Sequence, residues 1–354
     1  MSTLSVAAPA MDTDRLKPVR IWLYVLAAFV LVMVFVGGAT RLTESGLSIT
    51  AWKPISGIIP PLSDADWQAE FEAYRQIPQY QQEFAGWMGV EEFKLIFWWE
   101  WIHRFLGRML GFAFAIPFVI FLVQKRIPGS LAAPLAGLFV LGGFQGLLGW
   151  WMVSSGLSEL TSVSQYRLAA HLSAACVLLL ALVGVARSIS PPVETRIAVP
   201  RGWTYAVWGL LALLFLQIVF GAFVAGLDAG HSHNTWPLMN GALVPAGLMG
   251  IDPAWRSLFE DVMTVQFVHR MIAYAIVLYV GVMVWVGARR VGLEGVHGWM
   301  GRIALMTLLQ VVLGIATLLT LVNIPLALAH QILGFMLIAM VMGYIIDMRR
   351  VSAR

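Results

Sequence analysis

The 354 residues are 59% hydrophobic and only 12% charged, with a mean hydropathy of +0.79. A soluble domain carries about a quarter charged residues, so this composition excludes a freely soluble globular protein. The formal charge of +4 comes from Lys and Arg gathered in alternate loops, a membrane-topology bias and not a nucleic-acid surface.

A bilayer core takes about 20 apolar residues per helical crossing. Eight stretches reach that length: 21–40, 98–123, 132–153, 168–187, 203–226, 264–288, 300–321 and 325–347. Ahead of them, the tail 1–20 does not read as a cleavable signal, because Asp12 and Asp14 interrupt it and the first apolar run is full length. It also lacks the Arg- and Ser-rich, acid-poor character of a transit peptide, which points to a bacterial chain. Arg15, Lys17 and Arg20 precede the first span. Lys125 and Arg126, the stretch from Arg187 to Arg201, Arg289 and Arg290, and Arg349 to Arg354 fall on the same side. The alternate loops 41–97 and 227–263 are longer and acidic, with Asp64, Asp66, Glu70, Glu72, Glu83, Glu91 and Glu92, then Asp252, Glu260 and Asp261. The positive-inside bias predicts an inner-membrane protein with both termini cytoplasmic and the long loops outside.

The chain repeats itself. "GGATRLTESGLSITAWKPISG", 37–57, follows the first span, and "GAFVAGLDAGHSHNTWPLMNG", 221–241, follows the fifth. Gly46 and Trp52 keep the spacing of Gly230 and Trp236; Gly57 and Pro61 keep that of Gly241 and Pro245. "EWIHR" at 100–104 matches "QFVHR" at 266–270, "QGLLG" at 145–149 matches "QVVLG" at 310–314, and "LAAH" at 168–171 matches "ALAH" at 327–330. Each copy holds an even number of spans, so both enter the membrane in the same sense. The predicted fold is an all-α integral membrane protein of eight transmembrane helices, arranged as two tandem four-helix bundles of parallel topology. A tail, 1–20, precedes the first bundle, 21–188. A cytoplasmic linker, 189–202, leads to the second bundle, 203–348, and a tail, 349–354, ends the chain.

Among the seven histidines, four follow the repeat. His103 opens the second span and His171 the fourth; His269 opens the sixth and His330 the eighth. All four spans start on the outer side, so the imidazoles share a depth, two per bundle on separate helices. Zinc sites recruit three or four N, S or O ligands. A haem iron needs only two axial ligands from the protein, so two bis-histidine haem sites are expected, with His103, His171, His269 and His330 on iron. The glycines of "LGRMLG" and "GGFQGLLG" suit the approach of a flat macrocycle, and Arg104 and Arg270, each beside a ligand, are placed to pair with propionates. His231 and His233 read as solvated loop residues, His297 as part of a cytoplasmic turn, and Cys176 as a small buried hydrophobe.

The copies differ at one acid. Glu100 lies one helical turn before His103 and shares its face; the second copy has Gln266 there. An acid beside one haem and an amide beside the other imply chemistry in the first bundle and a stable haem in the second. Support of His103 by the carboxylate is the alternative role.

These motifs, above all "GGATRLTESGLSITAWKPISGIIPP" with "EWIHR", "NTWPLM" and the two late histidines, resemble the haem A synthase family over about 21–347. The resemblance implies an oxidoreductase that turns the C8 methyl of haem O into a formyl group by successive hydroxylations for cytochrome oxidase. It implies Glu100 as the essential acid, haem O as substrate in the first bundle and resident haem B in the second. It also implies haem O synthase, a ferredoxin or quinol electron donor, and membrane lipid as partners, and it leaves room for a homo-oligomer. One branch of the family carries a Cys pair in an outer loop; this chain has none and is similar to the proteobacterial and mitochondrial branch. The alternative is a two-haem cytochrome b that passes electrons and modifies no haem. A transporter fits poorly, because the ligands crowd the outer helix ends instead of the midplane.

Overall fold

The computed structural model describes residues 14–158, 160–191, 200–291 and 293–352, with side chains at 290–297 and 350–352 excepted. The N-terminal tail up to Thr13, the linker segment 192–199 and the last two residues lie outside the described residues. Ten α-helices follow one another: α1 (Lys17–Leu42), α2 (Asp64–Tyr74), α3 (Val90–Val123), α4 (Gly129–Ser154), α5 (Gln165–Ser188), α6 (Arg201–Gly226), α7 (Ser257–Glu260), α8 (Val262–Val286), α9 (Leu293–Leu319) and α10 (Ile324–Ser352). Eight of them, all but α2 and α7, are long and apolar enough to cross a membrane. In lipid every backbone N–H and C=O must find a partner within the chain, and a continuous helix supplies it. The chain is a multi-pass membrane protein.

Polar punctuation sets the ends. Ser63 caps α2 through Asp66, whose carboxylate returns to the Ser63 N–H at 3.0 Å. Asp261 accepts the Thr264 N–H at 2.8 Å to start α8. Pro128 and Pro200 precede α4 and α6, where a missing N–H costs nothing.

Helix neighbours close two rings. In the first half α1 packs on α3 and α5, and α4 joins α3 to α5; in the second half α6 packs on α8 and α10, and α9 joins α8 to α10. The halves meet where α5 touches α6 and α10, and α1 touches α10. The core therefore runs through α1, α5, α6 and α10, with Leu23, Leu26, Leu179, Leu182, Leu210, Ile338 and Ile345 fully buried. Two glycines permit the close approach: a side chain on Gly38 would meet Gln331 of α10, and one on Gly226 would meet the backbone of Gln165. At the basic end Arg187 of α5 grips Asp347 of α10 with two bonds of 2.5 Å and 2.7 Å.

Two sequence expectations change. The second span begins at Val90, two turns before Trp98, because Glu91, Glu92 and Lys94 end the hydropathy run without ending the helix: Glu92 accepts the Gly89 N–H and Lys94 pairs with Glu91. His103 therefore lies several turns inside α3. His297 belongs to α9 instead of a turn, and its side chain lies outside the described part. The loop after α1 is a folded unit with its own apolar cluster, Leu47, Ile49, Phe71, Tyr74, Tyr80, Phe93 and Phe97 among its members.

Candidate functional site

The four repeated histidines sit on four separate membrane helices, α3, α5, α8 and α10, each part-buried. His103 and His171 are within electrostatic reach of each other, as are His269 and His330. The structure thus brings together, within each half, the two imidazoles that the repeat pairs.

Their surroundings are polar but incomplete. His330 Nδ1 faces the carbonyl of Gln310 at 3.1 Å. A carbonyl can only accept, so Nδ1 carries the proton and Nε2 keeps its lone pair, the tautomer an iron ligand requires. The Gln310 amide also donates to the His330 carbonyl at 2.9 Å. Gln145 repeats that bond to the His171 carbonyl at 2.8 Å and lies 3.2 Å from His171 Nδ1. Gln217 approaches His269 Nε2 at 3.1 Å; the repeat places Met33 at that position in the first half. Among the described residues, buried Nδ1 atoms of His103 and His269, and amide oxygens of Gln145, Gln217 and Gln310, have no partner.

Glu100 is buried, 3% exposed, and its carboxylate meets donors alone. Oε2 accepts from the Ser48 hydroxyl at 2.8 Å and the Ile49 N–H at 2.7 Å. Oε1 accepts from Arg104 Nε at 3.0 Å and its terminal nitrogen at 2.6 Å. Gln266, equally buried, occupies the same place with the opposite polarity. Its amide donates to the Ala229 and Ser232 carbonyls, each at 2.7 Å, and its oxygen accepts from Arg270 at 3.0 Å. The acid in one half and the amide in the other each match what their loop offers. No bond joins Glu100 to His103; the carboxylate holds the loop after α1 and Arg104.

The two arginines also reach into those loops. Arg104 donates to the Ile49 carbonyl at 2.9 Å and stands 5.8 Å from the Trp52 ring centroid. Arg270 donates to the Thr235 and His233 carbonyls at 2.8 Å and 2.7 Å. In this structure both guanidiniums clasp loop carbonyls, a role that sequence reasoning did not foresee. His231 closes a short turn, and His233 accepts from Asn240 at 2.7 Å. Cys176 is buried and unpaired, as its apolar helix suggests. Sequence reasoning also missed Ser48 and the glutamines at 145, 217 and 310; the "QGLLG" and "QVVLG" match was the available signal for two of them.

Among the described residues no group of three or more His, Cys, Asp or Glu can hold a bare metal ion. Two imidazoles within electrostatic reach of each other in each half and orphaned buried polar atoms beside them fit a group that brings its own equatorial ligands, and haem is such a group. A family model described as cytochrome oxidase assembly protein (COX15-CtaA) matches residues 20–342. Haem A synthase of Azorhizobium caulinodans is 52% identical over 331 residues, covering 93% of each chain. That of Parvibaculum lavamentivorans is 52% identical over 310 residues and 88% of each chain. That of Rhodospirillum centenum is 49% identical over 334 residues, covering 94% of this chain and 89% of its own.

Proposed function

The chain belongs to the COX15-CtaA family of cytochrome oxidase assembly proteins, and from that membership we propose how its two halves divide the work. The protein is a membrane oxidoreductase, a haem A synthase that oxidises haem O to haem A, the C8 methyl becoming a formyl group by successive hydroxylations. The observation that carries this reading is a match at about half identity across nearly the whole chain, spanning both histidine pairs.

The first half, 21–188, takes haem O as substrate between His103 and His171. The second, 203–348, keeps haem B between His269 and His330, with 189–202 as the cytoplasmic linker. A bound haem supplies the redox chemistry that an unactivated methyl requires. The protein's own residues orient and partition that chemistry. Each imidazole pair fixes a ring plane, and His330 is held in the ligating tautomer by the Gln310 carbonyl. Glu100 gives the first site an acid whose carboxylate four donors hold in place; an acid so placed can favour a developing positive centre or pass a proton. Gln266 gives the second site the same loop anchor without a titratable group. Arg104 and Arg270 join the loops to the helices that carry the imidazoles, and would be the residues to pair with haem propionates.

Both termini lie in the cytoplasm of a bacterial inner membrane, with loops 41–97 and 227–263 outside. Haem O synthase hands over the substrate, a ferredoxin or quinol supplies electrons, and association into a homo-oligomer is compatible with the exposed membrane faces.

The deciding experiment extracts haems from membranes with and without this chain and separates them by chromatography. Haem A should form only with it, and haem O should accumulate without it. His269→Ala or His330→Ala should remove the haem B signal, whereas His103→Ala or His171→Ala should chiefly stop haem A formation. Haem A at equal levels in both membranes would leave an electron-transfer cytochrome; loss of haem B from the first-half variants alone would reverse the roles.

A further inference from the structure

Each of the four histidines lies against a glycine on the neighbouring helix of its own half. A β-carbon on Gly37 would stand 2.9 Å from Cε1 of His103; on Gly149, 3.1 Å from Cε1 of His171; on Gly221, 3.3 Å from Cε1 of His269; and on Gly314, 2.8 Å from Cε1 of His330. Ordinary van der Waals contact between carbons begins at about 3.5 Å, so beside an alanine the rings of His103 and His330 would have to move, while those of His171 and His269 would have to give by less. The helices involved differ: α1 meets α3, α4 meets α5, α6 meets α8 and α9 meets α10. One arrangement recurs four times on eight helices, always with the same ring atom nearest.

The glycine does more than make room. Gly314 lies four residues after Gln310, one helical turn along α9, and the Gln310 carbonyl is the one that faces His330 Nδ1. A bare backbone at 314 lets the Cε1 edge of the imidazole rest against α9 while Nδ1 reaches that carbonyl. Gly149 likewise lies four residues after Gln145, though there the group beside His171 Nδ1 is the side-chain amide nitrogen instead of a backbone carbonyl. Neighbouring glycines on the same helices have no such partner: positions 142, 143 and 146 on α4, and 301 on α9, would meet nothing within 4 Å. Helix propensity alone favours alanine at every one of these positions.

We propose that Gly37, Gly149, Gly221 and Gly314 are positioning residues, backbone seats that set the plane and depth of the four imidazoles. The inference rests on the reading of those imidazoles as haem ligands. It assigns to glycines at four fixed places the orientation that hydrogen-bond partners behind a ligand usually give it. Clearance ranks the seats: Gly314 and Gly37 are the tightest, and Gly221 is the most tolerant.

The test uses the full chain purified in detergent with its native haem. Gly314→Ala, Gly221→Ala and the control Gly301→Ala are compared with wild type and with His330→Ala. The readouts are haem B per polypeptide, low-spin electron paramagnetic resonance and chromatographic monodispersity. The low-spin signature of a bis-imidazole iron depends on the angle between the ring planes, so it moves when a seat moves and not when a helix is merely loosened. Gly314→Ala should hold haem B about 10-fold less tightly, or keep it with a shifted low-spin signal. Gly221→Ala should shift in the same sense by less, and Gly301→Ala should match wild type. Should Gly314→Ala fail to yield monodisperse protein, the signal of Gly221→Ala decides. A wild-type signal and full haem content in monodisperse Gly314→Ala, or in Gly221→Ala where that one decides, would overturn the proposal. If His330→Ala also keeps its haem and signal, the ligand assignment itself fails; if it loses them, only the seats do.

Discussion

Residue 100 shows how much an acid and an amide of equal size differ once their surroundings are known. Four donors surround the Glu100 carboxylate, while two carbonyls surround the Gln266 amide. From the sequence, Glu100→Gln should make the first half resemble the second. The structure shows that the new NH₂ group would face the Ser48 hydroxyl and the Ile49 N–H, or else Arg104. A buried group left without a partner costs about 1–3 kcal/mol, so Glu100→Gln removes both the charge and part of the loop anchor. Ser48→Ala separates the two effects, because it deletes one bond and leaves the acid. Loss of a positioned acid or base lowers rates by about 10²–10⁴-fold, so Glu100→Gln should accumulate haem O or a hydroxylated intermediate, with haem still bound. Ser48→Ala should keep most of the haem A. The measurement is the ratio of haem A to haem O at equal expression, and an equal fall in both variants would make Glu100 an anchor only. The repeat alone made the four paired histidines and the Glu100/Gln266 difference legible. Donor or acceptor character of a backbone turn leaves no trace in residue identity, so the matched polarity of the two loops stayed hidden.

At the scale of single elements, apolar length located every membrane helix, while charge misplaced one of their ends. Glu91, Glu92 and Lys94 read as loop, yet the backbone coils through them because pairing and capping satisfy them at the helix start. The long segment between α1 and α3 read as an acidic outer loop; its apolar residues are scattered, so no period announced that they would gather around Tyr74 and Phe93. Its α2 is capped by Ser63. That hydroxyl first, then the N–H groups of Ser63 and Leu62, hold the Asp66 carboxyl below the usual carboxylate range. The cap is therefore complete at neutral pH and is lost as pH falls through that lowered value. A thiol meant to report the side of this loop belongs at Leu62, which is 79% exposed, and not at Ser63. Leu62→Cys in intact cells should react with a membrane-impermeant maleimide from outside, while buried Cys176 stays silent. Labelling only after the cytoplasmic face is opened would invert the topology.

Across the whole molecule, the two halves are fastened by few polar contacts. Arg187 and Asp347 join α5 to α10, and the Asp347 side chain is only 6% exposed. At the other end Arg41 pairs with Asp228, which is more than half exposed. Removing one partner of a buried pair costs about 3–5 kcal/mol, whereas exposed pairs contribute roughly 0–1 kcal/mol. Arg187→Ala should therefore lower the melting temperature of the detergent-solubilised protein far more than Arg41→Ala. The double change Arg187→Met with Asp347→Met should recover most of the loss, since no uncompensated charge remains. Equal melting temperatures for Arg187→Ala and Arg41→Ala would show that the pair holds nothing together. Neither ion pair is readable from spacing, because 160 residues separate Arg187 from Asp347.

The helix neighbours are unchanged when α1, α3, α4 and α5 exchange places with α6, α8, α9 and α10: the contact of α5 with α6 becomes that of α10 with α1, and α5 with α10 maps onto itself. That is the pattern of a self-complementary pair of identical subunits. Two separate copies of one gene product would have to carry the same residue at both sites, acid or amide, and both would react or neither would. A covalent join releases that constraint. Once one polypeptide runs through both halves, a substitution can alter one member of a matched pair and leave the other, as at Glu100 and Gln266, whose codons are one base apart, or at Met33 and Gln217. A covalent join is what allows two sites built on one plan to carry different residues.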